Sequence, residues 1–178
     1  MNRLQQKFEE AKAKTIDMAS FMDTLKDYAG HCEHITEFGV RGIISTWALL
    51  SGAPKRMVSY DVVSPSEHGA RIEDVYEVAN ENAISYEFRI QSSLDAEIES
   101  TELLFIDTLH TYDQLSAELS RHADKASKYI ICHDSSACPE VKMAIEDFLA
   151  KPDCNWSVEK EMTEWPGLLI MRNKSFKN

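Results

Sequence analysis

The stretch "LLFIDTLHTYDQL", residues 103–115, contains the pattern that decides the fold. A short apolar run, typical of a buried strand, ends at Asp107, and His110 follows three positions later. An amphipathic, helix-like segment begins directly after it, from about residue 111. A buried strand, a polar tip and a helix in this order form the repeating unit of a parallel α/β sheet.

The same unit recurs along the chain. Short apolar runs that predict strands are "HITEFGV" (34–40), "RMVSYDVV" (56–63), "ISYEFRI" (84–90), "LLFID" (103–107) and "KYIICHD" (128–134). Amphipathic stretches that predict the intervening helices lie at about 41–52, 67–82, 111–124 and 139–150.

The alternation of strands and helices ends near the C-terminus. The runs "NWSVEKEM" (155–162) and "GLLIMRN" (167–173) are joined only by "TEWP", so they must pair antiparallel. The sequence therefore predicts an α/β fold: a Rossmann-like, doubly wound sheet of five parallel strands plus a C-terminal antiparallel hairpin, with helices on both faces. Residues 1–30 are predicted to be an N-terminal helical extension, and residues 31–178 the α/β domain.

The overall charge restricts the partners. With 19 Lys and Arg against 30 Asp and Glu, the net charge is −11, which repels phosphate backbones and anionic lipid heads. Nucleic acid and membrane surfaces are not expected partners; small molecules, cationic groups or proteins are. No stretch approaches the roughly 20 apolar residues of a membrane span, the N-terminus lacks a signal-peptide core, and the four cysteines have no C-x-x-C spacing. We therefore expect a cytoplasmic protein with reduced thiols.

Every predicted parallel strand ends in polar residues, and ligands of such sheets bind beyond the carboxyl ends of the strands. Gly39 and Gly42 lie in the turn after the first strand, but the dinucleotide motif G-x-G-x-x-G is absent. Asp61, at the end of the second strand and 22 residues after Gly39, has the position of a ribose-binding acid. The alternatives are a glycine turn without a ligand and a helix-capping or solvated carboxylate.

Taken in order, "EFGVRGIIST", "SYDVV", "LLFIDTLHTYDQLSAEL" and "IICHDSSACPEVKMAIEDFL" resemble the class I S-adenosylmethionine-dependent methyltransferases. The likeness runs from about residue 34 to 172 and is greatest to the small O-methyltransferases with a D-G-D-H-x-Y motif after the fourth strand. It implies a methyltransferase that modifies a hydroxyl of a small molecule or sugar.

The resemblance also implies a set of cofactor contacts at the strand ends and in the segments that follow them. It places Glu37 and Gly39 near the methionine part, Asp61 at the ribose and the loop after the third strand at the adenine. The residues implied at S-adenosylmethionine are Glu37, Gly39, Gly42, Ser45, Asp61, Ser92, Ser93 and Asp107. The family carries further glycines where this chain has Arg41 and Ile43. Gly42 does not fall on a glycine position of that pattern.

Two further implications concern the acceptor. Asp107, His133 and Asp134 match the positions at which related enzymes hold a divalent cation, magnesium or manganese, although His133 is a poor magnesium ligand and Leu109 replaces the second acid of D-G-D-H. His110 is the expected general base, with His133 as the second candidate. For both, a purely structural role is the alternative.

Three functions thus compete at this stage: the methyltransferase, a catalytically silent module that binds S-adenosylmethionine or a protein, and a different nucleotide-binding α/β enzyme. A pocket with so little chain left to cover it is expected to be open or completed by a second subunit in a homodimer.

Overall fold

The computed structural model describes residues 2–177, which divide into two compact units, one ending at Ser92 and the other beginning at Ser93. Each unit contains strands of the parallel type with helices between them.

The first unit contains four α-helices and three strands. Its elements in chain order are α1 (Arg3–Lys14), α2 (Met22–Ala29), β1 (His34–Phe38), α3 (Ile44–Leu50), β2 (Arg56–Asp61), a 3-10 turn (Pro65–His68), α4 (Ile72–Glu81) and β3 (Ser85–Ile90). The strands run parallel in the order β3-β2-β1, with Glu37 of β1 opposite Ser59 of β2. Both α1 and α2 contact α3 within this unit.

The segment predicted as an N-terminal helical extension, residues 1–30, contains two separate helices, α1 and α2. The side chain of Asn2 caps α1 by accepting a hydrogen bond from the Gln5 N–H. At the other end, the Thr15 hydroxyl donates to Asp17 and accepts from the Met18 N–H. Such local side-chain bonds compete with helical hydrogen bonds, which accounts for the interruption between α1 and α2.

The second unit contains two helices and four strands. Its elements are β4 (Thr101–Ile106), α5 (Tyr112–His122), a 3-10 turn (Ala123–Lys125), β5 (Ala126–His133), α6 (Pro139–Leu149), β6 (Trp156–Met162) and β7 (Leu168–Asn173). The strand order is β4-β5-β7-β6, in which β4 and β5 are parallel and β7 is antiparallel to both β5 and β6. Most of β4 and β5 is buried, as their apolar runs predict.

The predicted fold class is confirmed: the strands form a seven-stranded mixed sheet with helices, parallel within β1–β3 and between β4 and β5, with an antiparallel hairpin at the C-terminus. Each of the seven predicted strands is present, with ends that differ by a few residues. The division into a 1–30 extension and a 31–178 domain stays a prediction. Among residues 2–177, no helix is both long and apolar enough to cross a lipid bilayer.

Candidate functional site

Four titratable side chains meet in the second unit where β4 and β5 end. Asp107 follows β4, His110 lies in the loop before α5, His133 is the last residue of β5 and Asp134 follows it. The Nε2 atom of His110 is 3.3 Å from Oδ1 of Asp107 and 3.0 Å from Oδ2 of Asp134. The Nδ1 atom of His133 is 2.8 Å from Oδ2 of Asp134 and 3.5 Å from Oδ1 of Asp107. We refer to these four residues as the strand-end cluster.

The loop after β5 is held by backbone hydrogen bonds that fix the position of Asp134. Asp134 itself has a left-handed backbone, with φ of 59°, a conformation that aspartate tolerates better than most residues. The N–H groups of Ser136 and Ala137 both donate to the carbonyl of Pro166, in the link between β6 and β7. Gly167 permits this approach, because a Cβ there would lie 2.4 Å from the Ser136 nitrogen.

The electrostatics of the cluster raise the pKa values of both imidazoles and lower the pKa of Asp107. Burial alone would lower the pKa of His133, but hydrogen bonds to Asp107 and Asp134 outweigh it and raise the pKa to about 10. The hydrogen bond to Asp107 raises the pKa of His110 above its ordinary value, against a smaller opposing effect of burial, and the charge of Asp134 adds to the rise. Burial would raise the pKa of Asp107, yet its bonds to the two histidines hold it below its ordinary range.

Solvent reaches the two histidines unequally. The side chain of His110 is 41% exposed, whereas that of His133 is 3% exposed. A shallow depression is lined by His110, His133 and Leu109 among others. Leu109, at 65% exposure, presents an apolar side chain where the family's motif has a second acid. Of the two imidazoles in this depression, that of His110 is therefore the accessible one.

Two overlapping sets of side chains in this region have the spacing of metal ligands. In each set the donor atoms lie within 4.8 Å of one another. The inner triad consists of Asp107, His133 and Asp134, and the outer triad of His110, Asp134 and Cys138. The two carboxylates and one imidazole of the inner triad fit manganese or another imidazole-tolerant ion better than magnesium, which prefers oxygen alone.

In the first unit, Glu37 is fully buried and bound to three hydroxyls. Its carboxylate accepts hydrogen bonds from Ser45 Oγ at 2.7 Å, Thr46 Oγ1 at 2.9 Å and Ser59 Oγ at 2.6 Å. These partners lie on α3 and β2, so the carboxylate connects three elements of this unit. The structure thus brings Glu37 and Ser45 together, in the interior rather than at an exposed surface.

The loop between β1 and α3 has an unusual backbone. Gly39, Arg41 and Ile43 have φ values of 86°, 45° and 58°, so alternate residues are left-handed. Arg41 and Ile43 are the two positions at which the family's pattern has glycine, whereas Gly42 does not have a positive φ. Arg41 and Ile43 therefore have the backbone conformation of the glycines that they replace. A left-handed β-branched residue such as Ile43 is strained, and such strain concentrates at functional sites.

Asp61 fastens this loop to the end of β2. Its Oδ2 atom accepts hydrogen bonds from the N–H groups of Val40 at 2.8 Å and Arg41 at 2.9 Å, while Oδ1 accepts from Val63 at 3.2 Å. The Gly39 N–H donates to the carbonyl of Tyr60. The predicted acid and the predicted glycine turn are thus in direct contact.

Ser93 belongs to a buried polar network that the sequence did not reveal. The Ser93 hydroxyl donates to Glu118, which also accepts hydrogen bonds from Thr108 and Gln114. The backbone carbonyl of Ser93 is hydrogen-bonded to His122 Nε2 at 2.7 Å. Burial raises the pKa of Glu118 and lowers that of His122. The signal for this network was an acid and a histidine on the same helical face as Leu115 and Leu119. Ser92, the other serine predicted at the adenine, is the last residue of the first unit.

Comparisons with known proteins agree with the fold. The chain matches no protein-family model and no curated protein. It is similar to solved structures along nearly its whole length. A cofactor-bound protein from MTB, Rv0187, is 15% identical with a TM-score of 0.72, over 99% of this chain and 92% of that one. An O-methyltransferase from Bacillus cereus, solved with SAH, is 16% identical with a TM-score of 0.72, over 98% and 92%.

A third solved structure is an O-methyltransferase of Streptomyces achromogenes involved in tomaymycin synthesis, in complex with SAM. It is 13% identical with a TM-score of 0.67, over 98% of this chain and 91% of that one. The chain has the fold of these proteins. At such low identity the likeness establishes the fold alone, and the roles of individual residues stay predictions.

Proposed function

We propose that the protein is an S-adenosylmethionine-dependent methyltransferase that methylates a hydroxyl of a small molecule or sugar. The observation that carries the proposal is the strand-end cluster: an accessible imidazole, held by two carboxylates, lines a depression in a fold whose solved examples include O-methyltransferases with SAM or SAH. In-line transfer from a sulfonium requires that the reactants be held in line, and a hydroxyl acceptor must also lose its proton.

For the cofactor we propose Asp61, Gly39 and the left-handed loop as the principal contacts. Asp61 is half-buried at the end of β2, and a carboxylate at this place suits the two hydroxyls of a ribose. Gly39 leaves the backbone accessible beside it. The hydrogen bond between Glu37 and Ser45 joins β1 to α3, the two elements that flank the loop. Gly42, Ser92, Ser93 and Asp107 complete the proposed set.

Replacing Asp61 by alanine should weaken S-adenosylhomocysteine binding by about 1.5–3 kcal/mol, because a charge-assisted hydrogen bond to the ribose is lost. Calorimetry on the variant and on Asp153→Ala, a change at an exposed carboxylate, measures the effect. The control variant should bind like the wild type.

A ligand without the ribose 2′-hydroxyl separates the ribose contact from the support that Asp61 gives to the loop. The wild type should bind 2′-deoxy-S-adenosylhomocysteine more weakly than the parent compound, and Asp61→Ala should bind both equally. A folded Asp61→Ala protein that still discriminates between the two ligands would contradict the ribose assignment.

For the proton transfer we propose His110 as the general base rather than His133. His110 is accessible to an acceptor, whereas His133 is buried and its pKa of about 10 keeps it protonated at neutral pH. A protonated imidazole has no lone pair with which to accept a proton. We propose that His133, while no cation is bound, holds Asp107 and Asp134 in place.

We further propose that the inner triad holds a divalent cation. When bound, such an ion supplies positive charge to an acceptor oxygen. Asp107 and Asp134 would provide oxygen ligands, and His133 a nitrogen ligand once deprotonated. The mixed donors favour manganese over magnesium.

Metal-depleted protein should therefore regain more methyl transfer with manganese than with magnesium at equal concentration. The comparison is made in a buffer without zinc, with release of S-adenosylhomocysteine as the readout. Asp134→Asn should reduce the difference between the two ions. Equal activity in chelator and in either metal would remove the cation from the proposal.

The second candidate is a silent module that binds S-adenosylmethionine without transferring the methyl group. The observation that favours it is Leu109, which puts an apolar side chain where the family's motif has an acid. Calorimetry with S-adenosylmethionine, S-adenosylhomocysteine and NAD, followed by turnover assays on a broad panel of hydroxylated acceptors, distinguishes the candidates. Binding of the first two with turnover supports the enzyme, binding without turnover supports the module, and preference for NAD supports a different nucleotide enzyme.

A further inference from the structure

Cys138 lies beside the strand-end cluster and contributes a donor atom that the proposed methyl transfer does not use. Its thiol sulfur, a ring nitrogen of His110 and a carboxylate oxygen of Asp134 all lie within 4.8 Å of one another. These residues come from three places in the chain: the loop before α5, the end of β5 and the start of α6.

The backbone fixes the spacing within this outer triad. The Cys138 N–H donates to the carbonyl of Asp134 at 3.0 Å, which closes the turn between the two residues. The carbonyl of Pro166 binds the N–H groups of Ser136 and Ala137 inside the same turn. His110 is held from the other side by its 3.0 Å contact with Asp134.

The chemistry of the three donors selects a class of ion. One nitrogen, one sulfur and one oxygen suit zinc, which accepts three protein ligands and leaves a fourth position open, whereas magnesium avoids thiolate and imidazole. Tetrahedral zinc requires donors about 3.3–3.8 Å apart, so the thiol must approach by no more than about 1.5 Å. We propose that His110, Asp134 and Cys138 form a binding site for zinc or a similar thiophilic divalent ion, which overlaps the inner triad at Asp134.

Occupation of this site has a consequence for activity that rests on the proposed methyltransferase function. The outer triad shares Asp134 with the inner triad and takes His110 as a ligand. An imidazole nitrogen bound to a metal cannot accept the proton of an acceptor hydroxyl. Zinc bound at the outer triad should therefore inhibit methyl transfer, and its removal should restore the activity.

Cobalt(II) is the probe for the thiol ligand, because it replaces zinc and shows a sulfur-to-cobalt charge-transfer absorption when a thiolate binds it. Metal-free wild-type protein titrated with cobalt(II) should develop this band. Cys138→Ser should abolish it, and Cys154→Ser, a change at another half-buried cysteine, should retain it. Thermal unfolding of each variant in chelator verifies that it is folded.

Competition with a chromophoric chelator gives the zinc affinity. Loss of a direct ligand should weaken zinc binding at least as much as loss of a supporting hydrogen bond, by about 100-fold for Cys138→Ser and for His110→Ala. Magnesium binding should be unchanged in Cys138→Ser. Cobalt binding without a thiolate band, a band that survives Cys138→Ser, or no binding of either ion would each overturn the proposal.

The two proposals fail separately. A cobalt band in a protein that never transfers a methyl group would leave the zinc site intact and refute the methyltransferase. A protein that transfers methyl groups, is not inhibited by zinc and shows no thiolate-to-cobalt band would refute the zinc site and leave the methyltransferase proposal intact. If both hold, Cys138→Ser should keep full activity and lose its sensitivity to zinc.

Discussion

Replacement of His110 by alanine should lower the turnover number of methyl transfer by roughly two to four powers of ten, which is the usual contribution of a general base. The affinity for S-adenosylmethionine should change little, because His110 is not among the proposed cofactor residues and Asp107 keeps its contact with His133. Single-turnover rates and calorimetry on the same preparation separate the two quantities. His68→Ala, at an exposed histidine of the first unit, is the matched control and should be fully active.

The pH profile identifies the base. A general base works in its deprotonated form, so turnover should rise with pH through the pKa of that group. Asp107 and Asp134 raise the pKa of His110, so in protein without the divalent cation the midpoint should lie above the ordinary value of 6.5. Asp134→Asn removes one of the charges that stabilise the imidazolium and should move the midpoint to lower pH.

The same measurement tests His133. If His133 were the base, the midpoint would lie near its pKa of about 10. A midpoint there, or a His110→Ala protein with full turnover and an unchanged profile, would transfer the proposed role from His110 to another group. Loss of the inflection in His110→Ala, together with its retention in His68→Ala, supports the assignment.

The linear pattern predicted the fold well because buried parallel strands and amphipathic helices differ in hydrophobic period. The apolar run before Asp107 became β4, and the run before Asp134 became β5. The meeting of Asp107 and His110 with His133 and Asp134 also followed from the rule that ligands bind at the carboxyl ends of strands. Applying this rule requires only the positions of the strand ends, and the ends of the apolar runs indicate those positions.

Other features depend on side-chain direction and backbone angles, which hydrophobic periodicity does not encode. Glu37 was expected beside the cofactor, and nothing in "HITEF" indicates that its carboxylate is fully buried against Ser45, Thr46 and Ser59. The left-handed conformation of Arg41 is indicated by the glycine that the family has at this position, and not by the residue itself. The sequence predicts an ordinary thiol at Cys138, because His110, its second partner in the outer triad besides the nearby Asp134, lies in a distant part of the chain.

Replacement of Glu37 by alanine should lower the free energy of unfolding by about 3–5 kcal/mol, because a large buried side chain is removed and three buried hydroxyls lose their acceptor. The hydroxyls of Ser45, Thr46 and Ser59 would lose their common acceptor inside the protein, and each unsatisfied group costs about 1–3 kcal/mol. Relief of the buried charge acts in the opposite direction. It is the smaller effect, because the three donors already stabilise the carboxylate and the alanine leaves a cavity.

Chemical denaturation of the substituted proteins tests this. Glu37→Gln keeps the shape and should cost less than Glu37→Ala, whereas Glu33→Ala, at an exposed carboxylate paired with Lys55, should change stability by less than about 0.5 kcal/mol. Ser59→Ala should destabilise the wild type but have little further effect in Glu37→Ala, because the two side chains share one hydrogen bond. A Glu37→Ala protein as stable as the wild type would show that the carboxylate is retained for binding, and Glu37 would then return to the position beside the methionine part of the cofactor.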